Sequence, residues 1–123
     1  MASCKLGHIY IVPTVLTKPP KDKYAICVCV ADGYFIWVNT EARQDGIDQL
    51  QIPAGCHRLI RHVSHVDLSR IVKHPDFELD NAKEFECISA HLAQGVIDRV
   101  QAGLDLLPAK HAELIIENLR KLL

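Results

Sequence analysis

The sequence predicts an α+β fold: a small, half-open antiparallel β-barrel followed by two C-terminal helices. Three observations predict it. Short runs of strand character, broken by Pro, Gly and Asp, fill residues 1–75. The apolar period then changes to that of a helix in the last third. Asp32-Gly33 sits between two apolar runs and is the strongest hairpin signal in the chain. Strands first and helices afterwards is the order of an α+β domain, and 123 residues is the length of one. A single domain over 1–123 is expected, with 1–75 mostly strands and 76–123 mostly helical.

The elements follow in order. "HIYIVP" (8–13) reads as a strand stopped by Pro13. "TKPPKDK" (17–23) reads as a loop, because Pro19-Pro20 cannot enter a ladder. "KYAICVCV" (23–30) is a central strand, "ADG" (31–33) a tight turn and "YFIWVNT" (34–40) the returning strand. "EARQDG" (41–46) is a loop. "IDQLQIP" (47–53) alternates as a half-buried strand does, and Pro53 and Gly55 close it. "HRLIRHVSHVDL" (57–68) is a further strand or strand pair. Ser89 then suits an N-cap, with Leu92, Ala93, Val96, Ile97 and Val100 at helical spacing and Gly103 at the stop. Pro108 opens the last helix, whose stripe is Leu114, Ile115, Leu119 and Leu122. Arg120 and Lys121 favour its C-terminal end.

Composition narrows the class. Apolar content of 49% and charged content of 24% are ordinary for a globular protein, and no apolar run reaches the length of a membrane span. The opening "MASCKLGHIYIVP" is a poor signal peptide, so a cytoplasmic protein is expected. Cys4, Cys27, Cys29, Cys56 and Cys87 have no framework spacing and read as buried thiols. Residues 1–75 hold nine Lys/Arg against six Asp/Glu, and 76–123 hold five against nine. An anionic ligand would therefore meet the N-terminal part.

The order of elements resembles the MazF/PemK (also CcdB-like) toxins of bacterial type II toxin–antitoxin systems. "GHIYIVP" is similar to the opening family strand, with His8 where the family has an acid. "KYAICV" (23–28) resembles the next strand, with Lys23 at the family arginine and Tyr24 at its proline. "WVNT" (37–40) resembles the strand that ends in a Thr/Ser pair, so Thr40 matches the active-site hydroxyl. "HVDLSRI" (65–71) resembles the strand carrying the polar catalytic residues: Asp67 matches an acid, His65 replaces an arginine, and Arg70 and Ile71 match the basic residue and isoleucine after it. The resemblance implies an SH3-like barrel, a homodimer, an antitoxin partner and metal-independent cleavage of single-stranded RNA, with no cofactor.

Such cleavage needs a base for the 2′-hydroxyl, an acid for the leaving 5′-oxygen, and cations around the phosphorus. Histidine suits proton transfer near neutral pH. On a regular strand His65 and Asp67 share a face, and Arg61 shares their parity. His65 and Asp67 are the candidate proton carriers, Thr40 the donor to phosphate, and Lys23 and Arg61 the phosphate-binding cations. Stacking of bases needs an exposed ring beside cations. Phe35 and Trp37 share one face of their strand and Tyr34 and Ile36 the other, and one face must be core, so Tyr24 or Tyr34 is the candidate platform. Cys56, His57, His62 and His65 lie close in sequence, but neighbours on a strand point apart and no Cys-x-x-Cys accompanies them, so no metal site is expected.

The same fold without catalysis is the alternative: a protein-binding module such as a CcdB-like gyrase inhibitor, or a phage or mobile-element regulator. In the gyrase-directed relatives the C-terminal helix makes the contact, and "IIENLRKLL" (115–123) is the segment that would serve.

Overall fold

The computed structural model describes residues 4–42 and 46–123, so the centre of the loop expected over 41–46 lies outside them. Among the described residues the strands are β1 (His8–Thr14), β2 (Lys21–Cys29), β3 (Tyr34–Asn39), β4 (Gln49–Ile52), β5 (Ser64–Asp67), β6 (Val72–Lys73) and β7 (Lys83–Cys87). The helices are α1 (Asp76–Asp80), α2 (Ala90–Gln101) and α3 (Ala109–Leu119), and a 3-10 turn, Arg120–Leu122, ends the chain. All pairings are antiparallel. The order across the sheet is β4-β5-β3-β2-β1-β7, with β6 beside β3. The α+β class is as expected. The sheet itself is not closed into a barrel, since no ladder joins β4 to β7 among the described residues.

Alternation along β2 and β3 divides their side chains between two apolar layers. Ile26, Val28, Ile36 and Val38 join Ile9, Val66 and Leu68 under the helices. Ala25, Cys27, Phe35 and Trp37 form the second layer with Cys4, Tyr10, Val12, Val72 and Leu79. Both faces of β3 are therefore core, where the sequence suggested one. Val72 of β6, which pairs with β3, and Leu79 of α1 complete the second layer.

Ser89 caps α2 by accepting from the Leu92 amide at 3.1 Å. Leu92, Ala93, Val96, Ile97 and Val100 are all buried. Ile115 and Leu119 of α3 are wholly buried, each contributing about 1.5–3 kcal/mol. The Asn118 side chain fastens α3 to the Val28 carbonyl at 2.8 Å. Asp48 ties the helices to the sheet. Its backbone is left-handed (φ 50°), and its carboxylate accepts from the Asp105 and Leu106 amides at 2.9 and 2.6 Å. Its carbonyl accepts from the Leu68 amide at 2.8 Å.

Two features depart from the sequence reading. Residues 83–87 are a strand, β7, inside a stretch read as mostly helical. The 57–68 stretch is a strand only at Ser64–Asp67. Before it the chain turns, with the Ile60 amide on the His57 carbonyl and the Gly55 amide on the Ile60 carbonyl. This turn reaches β7. His57 Nε2 donates to the Glu86 carbonyl (2.8 Å), and Arg58 lies 4.9 Å over Phe85 with its Nε 2.6 Å from each Glu86 oxygen. The segment leaving β4 thus bridges to β7 at the far edge of the sheet.

Gly7 enters this arrangement at φ 77°. A Cβ there would sit 2.8 Å from Cys87 Sγ and strike the Leu122 side chain. Gly7→Ala is expected to cost about 2–3 kcal/mol, combining left-handed strain with overpacking. Urea unfolding checks this, and a midpoint equal to that of the unmutated chain would refute it.

Candidate functional site

Polar side chains gather at the end of the sheet where β2 begins and β3 and β5 meet. Register places Lys23 against Val12 on β1, and Tyr24 against Val38 on β3. Asn39 lies opposite His65, and His65 opposite Gln51. Lys23, Asn39, His65 and Gln51 therefore form a polar row on the face away from α2 and α3. Lys23 Nζ donates to Asn39 Oδ1 and lies 5.0 Å over the Trp37 ring. Arg70 lies over the same ring, also at 5.0 Å. Burial lowers the Lys23 pKa, and the charge of Lys21 adds to that; Asp67 opposes it and Arg70 lowers it further.

The proposed His65–Asp67 couple has a different geometry from the one the sequence suggested. Both stand on β5 with one residue between them, as expected. The Asp67 Oδ1, however, accepts from the Ser69 amide (2.9 Å) and hydroxyl (2.6 Å). The Nδ1 of His65 is buried with no hydrogen-bond partner, so Asp67 does not orient that nitrogen.

Tyr24, Thr40 and Arg61 meet on the other side of the same strand ends. One hollow of 670 Å³ is lined by Lys21, Lys23, Tyr24, Asn39, Thr40 and Glu41, among others. The adjoining hollow of 310 Å³ is lined by Tyr24, Thr40, Leu59, Arg61, His62 and Ser64. Tyr24 and Thr40 are common to both. These volumes lie in the range of small-ligand sites. Four of the six proposed residues, Lys23, Tyr24, Thr40 and Arg61, line this paired hollow. His65 and Asp67 line neither half.

Arg61 reaches the site by a different route from the parity argument. Strand geometry begins at Ser64, Val63 is 49% exposed, and Arg61 lies in the preceding loop. The same loop brings in His62, beside Ser64 at the start of β5. The Ser64 hydroxyl donates to the His62 carbonyl (2.8 Å) and fixes the loop. No spacing in the sequence marks His62, because its place depends on where β5 starts. Of the two candidate rings, Tyr24 lines both hollows, whereas Tyr34 leans on His111 of α3 at 5.8 Å.

His57, one of the four residues weighed as metal ligands, has both ring nitrogens engaged, by the Glu86 carbonyl and the Leu59 amide. No group of three or more His, Cys, Asp or Glu side chains suited to a metal ion occurs among the described residues. No helix among them is long and apolar enough to cross a membrane.

Comparison with known proteins adds no identity: no family model, no curated protein and no solved structure matches the chain.

Proposed function

We propose that the chain is a MazF/PemK-like, toxin-type endoribonuclease that cleaves single-stranded RNA without a metal, as a homodimer held in check by an antitoxin. The observation that carries this reading is the paired hollow, where Lys23, Tyr24, Thr40, Arg61 and His62 converge from three separate segments. The bridge that His57 and Arg58 make from the β4 exit to β7 supports an SH3-like course of the chain. In this reading Lys23 and Arg61 flank the phosphate, the Thr40 hydroxyl donates to it, and Tyr24 supports a base. His62 takes the 2′-hydroxyl proton as that oxygen attacks phosphorus. The departing 5′-oxygen takes a proton from Lys23, whose lowered pKa makes its ammonium a better acid. The products are a 2′,3′-cyclic phosphate and a 5′-hydroxyl. His65, with one nitrogen buried, stands opposite Asn39 on the neighbouring strand and serves the site from there.

The non-catalytic alternative has less support. Its contact helix is α3, and the wholly buried Ile115 and Leu119 of that helix belong to the core.

Incubation of the pure protein with a long single-stranded RNA, with and without EDTA, tests the reading. Cleavage resistant to EDTA is expected. His62→Ala is expected to slow it by about 100-fold or more, a typical loss for an acid–base residue, and His65→Ala by much less. Absence of cleavage, or cleavage lost with EDTA, would overturn the ribonuclease reading. Equal cleavage by wild type and His62→Ala would overturn the assignment of His62.

A further inference from the structure

Behind the cationic pair runs a chain of buried polar groups that the proposed chemistry does not use. Trp37 of β3 donates its Nε1 proton to His74 Nε2 at 3.1 Å. His74 Nδ1 is 2.8 Å from Glu78 Oε1. The same oxygen accepts from the Thr14 hydroxyl at 2.9 Å, and Oε2 accepts from the Val15 amide at 2.8 Å. The side chains of His74 and Glu78 are 0% and 1% exposed.

Donor and acceptor chemistry fixes the protons along this chain. The indole nitrogen of Trp37 only donates, so His74 Nε2 must present a lone pair. Nδ1 then carries the single proton of a neutral ring and gives it to the Glu78 carboxylate. A second proton on His74 would go to Nε2 and set N–H against N–H. The Trp37 bond would be lost, and the ring would have to shift.

That shift would be felt at the site, because Lys23 and Arg70 both rest on the Trp37 ring. The groups around His74 are few. Glu78 faces it from α1, Phe35 and Trp37 from β3. Cys4, Asp32, Lys73 and Asp76 line the hollow of which His74 forms one wall. Burial lowers the His74 pKa and the Glu78 carboxylate opposes this, burial being the stronger. The ring is therefore neutral at pH 7, and it gains a proton only below the ordinary histidine value of about 6.5.

We propose that His74 is a positioning residue and a proton-sensitive latch: neutral, it holds Trp37 to Glu78 and keeps Lys23 and Arg70 seated over the indole; protonated, it releases Trp37 and loosens both cations. Its bearing on RNA rests on the reading above, but the latch itself does not.

Trp37 is the only tryptophan in the chain, so its emission reports the latch without RNA. The full chain is titrated from pH 7.5 to pH 4.5, and far-UV circular dichroism is recorded alongside. Wild type is expected to show a change in tryptophan emission below pH 6.5, at constant helical signal. His74→Gln keeps a donor and an acceptor that do not titrate, and its emission is expected to stay flat over the same range. On the wild type alone, imidazole ¹⁵N shifts at pH 7.5 are expected to show one buried histidine as the neutral Nδ1–H tautomer, which keeps the test open if the variant does not fold. A flat wild-type emission, the same transition in His74→Gln, an Nε2–H tautomer at His74, or emission that changes only together with the helical signal would each overturn the latch. RNA that is not cut by a protein whose emission titrates as described would remove the ribonuclease reading and leave the latch standing.

Discussion

Glu78→Ala is expected to destabilise the protein by about 3–5 kcal/mol. The Glu78 carboxylate is buried, and it accepts from the Thr14 hydroxyl, the Val15 amide and the His74 ring. Truncation leaves three donors without their acceptor, two of them on buried side chains. Each orphaned donor costs about 1–3 kcal/mol, reduced where water enters the gap. A domain of this size has only about 5–15 kcal/mol of stability, so the loss would take a large share of it. Burial raises the Glu78 pKa, but the Val15 amide, the His74 ring and the Thr14 hydroxyl together outweigh it and hold the carboxyl below its usual value. A carboxyl depressed in the folded state stabilises fully above the ordinary glutamate range, and this stabilisation fades as pH falls through its folded value. Urea unfolding at pH 7 and at pH 4 checks both points. The variant should be less stable than wild type at pH 7, and the difference should shrink at pH 4. A loss below about 1 kcal/mol at pH 7 would show that the network is not structural.

Asp48→Ala is expected to cost about 3–4 kcal/mol by a separate route. Asp48 is 1% exposed. Burial opposes its ionisation, but the amides of Asp105, Leu106 and Leu107 hold its carboxyl below the usual range. Alanine removes the acceptor for these amides and brings a Cβ-only side chain to a left-handed backbone, a strain of about 1 kcal/mol or more. Asparagine tolerates that backbone and keeps one oxygen, so Asp48→Asn should cost less than half as much. Thermal unfolding of the two variants checks the order. Equal losses for both would mean that Asp48 acts through its charge alone.

The parts of the fold that could be read from the sequence are those with local signals. Asp32-Gly33 marked the β2–β3 hairpin, Ser89 marked the start of α2, and apolar spacing marked the buried faces of α2 and α3. The rest depended on distant partners. β7, "KEFEC", has charges at three of its five positions and becomes a strand only because β1 offers it a ladder. The second core layer was hidden because His74 and Glu78 look like surface residues until their partners are known. Sequence offered Lys23 and Thr40 through a resemblance, Arg61 through strand parity and Tyr24 as a ring beside cations, and the four do line one paired hollow. Parity failed at Arg61 because it assumed a strand over residues that lie in a loop.

The bridge from the β4 exit to β7 has a further consequence, for association between molecules. An open sheet has two margins at which a foreign strand could add and begin a fibre. At β7 that margin carries Lys83, Glu84 and Glu86, the Glu86 carbonyl is already taken by His57, and Arg58 covers Phe85. At the opposite margin β4 is four residues long, is followed by Pro53, and has the Gln49 carbonyl engaged by Arg99. Neither margin invites strand addition, so a continuous sheet through two copies is disfavoured on both sides. The charged residues of β7, silent in the chemistry and misleading in the sequence, act against strand addition at that margin.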